Sequence, residues 1–224
     1  MERVRVPEQH PVSGIPHVAV AIKANSLAQR HIGVLHRSVD GDQVRLLHLA
    51  WHCDLRNDDP KSSYIWIDLP IDPLRAKQVA AMCRKIWRSN GAKHIPYALR
   101  FPNDCFDAKT GAFLIGKGTL GLTCATFVLA LFQSCGLAMV DLATWQNRED
   151  DLAWQEQCIQ ELEKSKADRG HIEAITTEIG CIRFRPEDVA GAAANTPWPV
   201  AFAQATQMSS ILVDLLLSRL KDDR

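Results

Sequence analysis

Residues 30–50 read Arg30-His31-Ile32-Gly33-Val34-Leu35-His36-Arg37-Ser38-Val39-Asp40-Gly41-Asp42-Gln43-Val44-Arg45-Leu46-Leu47-His48-Leu49-Ala50, and this stretch decides the fold. Two β-type runs, 31–37 and 43–50, flank Asp40-Gly41-Asp42, a turn signal that joins antiparallel strands. Folding back about that turn brings His31, which opens one strand, beside His48, near the end of its partner. A single strand histidine is commonly a satisfied structural residue. Two converging on one hairpin end invite a chemical reading.

Outward from the hairpin, residues 17–22 form a short apolar run after Pro16, and residues 64–69 read as a fourth strand closed by Pro70. The period then changes. Asp72 suits an N-cap, Pro73 a first-turn position, and Val79, Met82, Cys83, Ile86 and Trp87 recur at helical spacing up to Gly91. Residues 92–121 are loop-rich. A second helix is predicted over 123–135, stopped by Gly136. Beyond it, 148–166, 169–179, 186–193 and 199–220 read as helices, with a brief extended piece at 181–184. Strands first and helices later predict an α+β fold, an antiparallel sheet of four to five strands packed on the helix that carries Cys124. Residues 1–141 form the predicted core. Residues 142–224 form a helical extension that covers one side or makes a small appendage.

Composition narrows the function. The 224 residues carry 26 basic and 26 acidic side chains, so no broad attraction to nucleic acid or an anionic membrane is expected. No run reaches the roughly 18 apolar residues of a membrane helix; residues 199–217 are interrupted by Gln204, Gln207, Ser209, Ser210 and Asp214. The N-terminus lacks the apolar centre of an export signal. Seven cysteines are scattered without CxxC pairs or zinc spacing. A reducing, cytoplasmic location is expected, with delivery as a secreted effector compatible, and neither metal nor cofactor is implied.

Cys124 stands in Gly121-Leu122-Thr123-Cys124-Ala125-Thr126-Phe127-Val128, in the first turn of a strongly apolar helix. Unpaired N–H groups and the helix dipole at such an end favour a thiolate and can hold an oxyanion. A buried structural cysteine is the plainer reading, and Cys135 on the same helix illustrates it. A thiolate also needs a base that later protonates the leaving group, and histidine serves both steps.

Taken together, the His31-led strand, the Asp40-Gly41 turn, the Leu47-His48-Leu49 strand and the later Thr123-Cys124-Ala125 helix resemble the permuted NlpC-type papain-like proteins. They are most similar to the branch that includes lecithin retinol acyltransferase. The resemblance spans roughly residues 15–136 and implies Cys124 as nucleophile, His31 as base and His48 as polar third member. It implies a peptide, amide or acyl-ester substrate. The acyltransferase membrane anchor and its Cys-Glu-His sequence are absent, which favours amide, peptide or thioester hydrolysis over lipid acyl transfer. A slip in hairpin register would make His48 the base, with Asp68 on the next strand as orienter. Trp51 and His52 either line the cleft or pack in the core. Tyr97 either offers a hydroxyl to the site or, as favoured here, packs. Asp104, Asp107 and Lys109 belong to a polar loop near the cleft.

Two rival readings exist. Gly116-Lys117-Gly118-Thr119-Leu120-Gly121 matches GxGxxG, with Asp141 at the distance of a ribose-binding acid, as in a dinucleotide-binding protein. Hairpin-like strands precede that loop, however, and few strands follow to complete a parallel sheet. The other rival is a catalytically inactive papain-like binding module.

Overall fold

The computed structural model describes residues 2–38, 43–92, 94–114, 116 and 120–222. The turn at Asp40-Gly41-Asp42, and Lys117 and Gly118 of the glycine loop, lie outside the described residues. Among the described residues six strands form one sheet: β1 (Val4–Arg5), β2 (Val18–Ala24), β3 (Arg30–Arg37), β4 (Val44–Trp51), β5 (Asp54–Asp58) and β6 (Ile65–Ile67). Their order is β1-β6-β2-β3-β4-β5, and every strand pair is antiparallel.

The expected count of four to five strands is therefore low. The additional strands, β1 and β5, are the two edges. β5 reads Asp54-Leu55-Arg56-Asn57-Asp58, and a charged strand with one aliphatic residue has no apolar alternation to betray it.

Side-chain alternation divides the sheet into two faces. Val20, Ile22, Ile32, Val34, Leu47 and Leu49 point into the main core. That face packs on α1 (Pro73–Asn90), α2 (Cys124–Gln133) and α5 (Pro186–Ala194). Ala19, Ala21, Leu35, Leu46, Tyr64 and Trp66 lie on the opposite face with Ile15. The N-terminal segment covers it, and Trp66 Nε1 donates to the His10 carbonyl at 3.0 Å.

The helix ends follow their local chemistry. Asp72 caps α1 by accepting from the Leu74 and Arg75 amides, Pro73 occupies the first turn, and Gly91 closes the helix at φ 57°. After α2 come α3 (Asp151–Lys164), α4 (Arg169–Thr176), α5 and α6 (Phe202–Asp222). Val189, Ala190, Ala192 and Ala193 of α5 are fully buried in the same cluster as the strands. Cys158, Ile159 and Leu162 of α3 pack with Tyr97, Ala98 and Leu99. Residues of α5 and α6 share the main core with the strands. Among the described residues no helix is long and apolar enough to cross a membrane.

Candidate active site

Register assembles the histidines. Val34 pairs with Leu47 and Leu35 with Leu46, so the ladder brings Gly33 against His48. A Cβ on Gly33 would stand 2.7 Å from His48 Cβ. The absence of a side chain there lets His48 lie across β3 and reach His31. His31 Nε2 is 2.7 Å from His48 Nδ1, with the rings edge-to-face at 4.8 Å between centroids. Both are buried, at 8% and 6% exposure. The slipped register, with His48 alone as base, is not adopted.

The chain of rings continues to a carboxylate. His48 Nε2 lies 3.4 Å from Asp58 Oδ2 on β5. A carboxylate accepts, so His48 carries its proton on Nε2 and leaves Nδ1 as an acceptor. His31 must then donate from Nε2, which puts its lone pair on Nδ1. That nitrogen makes no hydrogen bond among the described residues. Asp58 thus sets which nitrogen of His31 is basic, two rings away.

The sulfur is placed by a helix cap. Thr123 is the N-cap of α2 and forms a reciprocal pair with Thr126: the Thr126 amide donates to Thr123 Oγ1, and the Thr123 amide to Thr126 Oγ1. The Phe127 amide donates to the Thr123 carbonyl. Of the first-turn amides, those of Cys124 and Ala125 have no oxygen acceptor among the described residues; both turn toward the half-buried thiol and favour its charged form. The Ile32 amide also leans toward this sulfur, and Ile32 is the residue after His31.

Electrostatics correct the expectation of a ready thiolate. Burial pushes the Cys124 thiol up to about 11. The Ile32 and Ala125 amides pull it down and the Glu187 carboxylate pushes it up, but desolvation dominates. Burial likewise holds His31 down to about 3, helped by His48, Lys23 and Arg56. His48 is lowered by burial against the opposing pull of Asp58. Near neutral pH the site is a neutral thiol beside neutral imidazoles. No hydrogen bond joins the sulfur to either ring among the described residues.

Tyr64, just before β6, completes the group. Its ring lies edge-on to His31 at 6.5 Å. It is buried, and its hydroxyl is raised above the ordinary range by burial and by the negative charges available at Cys124 and Asp58, so it stays protonated as a donor.

Among the other expected residues, Trp51 stacks at a tilt on Tyr97 at 4.5 Å and both pack with the α3 residues, while the buried Tyr97 hydroxyl is within electrostatic reach of Cys124. His52 Nδ1 accepts from the Tyr97 amide, and His171 Nε2 donates to the Tyr97 carbonyl; this pair holds the 95–100 segment. Asp68 pairs with Arg5 at 3.6 Å and bonds neither imidazole among the described residues. Asp107 caps its own turn through the Lys109 and Thr110 amides. Gly121 packs so closely on the Pro96 carbonyl that a Cβ would collide with it, which gives this glycine a packing reason. Among the described residues every strand pair of the sheet is antiparallel, so no βαβ unit adjoins Gly116 there.

Asp58 and Tyr64 escape sequence reading. Asp58 is one of three aspartates among residues 54–59, on a strand without a pattern. Tyr64 marks the end of a loop, where a core aromatic is the ordinary expectation. Among the described residues, no cluster of three or more His, Cys, Asp or Glu has a metal-holding arrangement. Comparisons with family models, with curated proteins and with solved structures find no match to this chain.

Proposed function

We propose that the protein is a cysteine-dependent hydrolase of permuted papain-like architecture that cleaves an amide, peptide or ester bond through an acyl-enzyme on Cys124. The observation that carries this reading is the ordered chain Asp58–His48–His31, whose tautomers leave a free lone pair on His31 Nδ1 at the strand segment whose next amide serves the Cys124 sulfur.

From neutral partners, the proton leaves sulfur as the sulfur–carbon bond forms, with His31 Nδ1 as acceptor. The imidazolium is stabilised by relay of its Nε2–H to His48 and by the Asp58 carboxylate. The amides of Cys124 and Ala125 receive the carbonyl oxygen as it becomes negative. His31 then gives its proton to the departing amine or alcohol, and water hydrolyses the thioester by the same route in reverse.

Intact-protein mass spectrometry with an activated aryl ester tests the scheme. A single acyl adduct on Cys124 is expected, absent in Cys124→Ser and at least about 100-fold slower in His31→Gln. Even acylation of several cysteines, indifferent to His31, would sink the reading.

A further inference from the structure

Lys23 of β2 pairs directly with His31 in the antiparallel register, so both side chains leave the sheet on one face. Its ammonium sits 5.2 Å from the centre of the Tyr64 ring, the same ring that meets His31 edge-on. The site's carboxylates are engaged elsewhere: Asp54 with Arg56 by two hydrogen bonds, Asp58 with His48, and Glu187 with Arg30. Lys23 itself makes no ion pair among the described residues. Burial and the nearby Lys61 hold its pKa below the ordinary lysine value. A half-buried cation balanced only by an aromatic face is costly unless a counter-ion arrives.

We propose that Lys23 is the anion-recognition residue of the Cys124 site and selects substrates whose leaving group carries a carboxylate, such as an acylated amino acid. This rests on the hydrolase reading above. The placement decides which side of the substrate is recognised. The carbonyl oxygen belongs at the α2 amides, whereas His31, beside Lys23, delivers the proton to the leaving group. In that reaction the C–N bond breaks and a C–S bond forms. The thiol proton passes through His31 to the amine, and water then splits the thioester. The number of charges decides the anion. Lys61 is exposed and its charge screened by solvent, so the one half-buried ammonium, acting as a point charge, suits a monoanion. Arg56 is committed to Asp54 and Arg30 to Glu187.

Two alkylating agents of nearly equal size, iodoacetate and iodoacetamide, read the local charge at Cys124 without requiring turnover. Peptide mapping is expected to give an iodoacetate-to-iodoacetamide rate ratio at Cys124 that falls about tenfold in Lys23→Gln and is retained in Lys23→Arg. In the wild-type protein, benzoylglycine is expected to slow labelling by iodoacetamide more than inorganic phosphate does at equal ionic strength. An unchanged ratio in Lys23→Gln, with iodoacetamide labelling intact, overturns the assignment of Lys23 and leaves the hydrolase reading standing. Protection by phosphate but not by benzoylglycine overturns the carboxylate. Failure of both reagents on wild-type Cys124 removes the hydrolase reading, and this inference with it.

Discussion

Cys124 opens α2 and Cys135 follows its C-cap, Ser134, and both thiols are pushed up to about 11 by burial. Their surroundings differ in every other respect. Cys135, 4% exposed, packs in the main core. Its carbonyl accepts from Arg75 and Gln78, and Ser134, Lys85 and Arg75 are the groups that pull its thiol down. Cys124 is half-buried, receives the Cys124, Ala125 and Ile32 amides at its sulfur, and adjoins the strand that carries His31. Resting acidity therefore does not separate a chemical thiol from a structural one in this fold. The separation lies in what can take the proton and what can hold the oxyanion.

The widest gap between the two cysteines is expected in turnover of an activated ester. Cys124→Ser should lose at least about 1,000-fold in kcat/KM, while Cys135→Ser stays within about twofold once both proteins are shown to be folded. Equal losses would erase the distinction.

Next in size is the base. His31→Gln is expected to reduce acylation of Cys124 by about 100- to 1,000-fold, with iodoacetamide labelling of Cys135 unchanged. Asp58→Asn should cost about tenfold in kcat with little change in KM. Asp58 is half-exposed and its bond to His48 is long, so it biases a tautomer instead of neutralising a buried charge. Loss of activity in Asp58→Asn as large as in His31→Gln would make the carboxylate a direct participant.

The smallest effect lies in stability against pH. His31 titrates near 6.5 when unfolded and is held down to about 3 when folded. Between those values the unfolded chain binds a proton that the folded one does not, so stability is complete above about pH 6.5 and is lost as pH falls. The unfolding free energy from urea titrations should drop with a slope of up to about 1.4 kcal/mol per pH unit for this group, and His31→Gln should flatten that slope. A slope unchanged in the variant would mean that His31 is already protonated in the fold. Cys135→Ser is expected to leave the slope as it is.

Much of this comparison is legible in the residues. The hairpin reading brings His31 and His48 to one end because a single turn and a two-residue period govern both strands. The Thr123–Thr126 cap lies within four consecutive positions, and so places Cys124 in a first turn without reference to the rest of the chain. Asp72, Pro73 and Gly91 mark α1 for the same local reason. The errors share a cause as well. The helix-end argument for a thiolate counts dipoles on α2 alone, whereas the desolvation that overrides it comes from every element packed around the sulfur.

From the order of its amino acids alone, the chain determined an α+β fold, the boundaries of its main helices, and the meeting of two imidazoles, since each follows from neighbours along the backbone. Tertiary structure alone decided that a charged edge strand brings Asp58 to His48, that Tyr64 and Lys23 join His31 on one face, and that Cys124 rests as a neutral thiol. Those outcomes depend on strand order and on total burial, quantities summed over distant segments that no local pattern encodes.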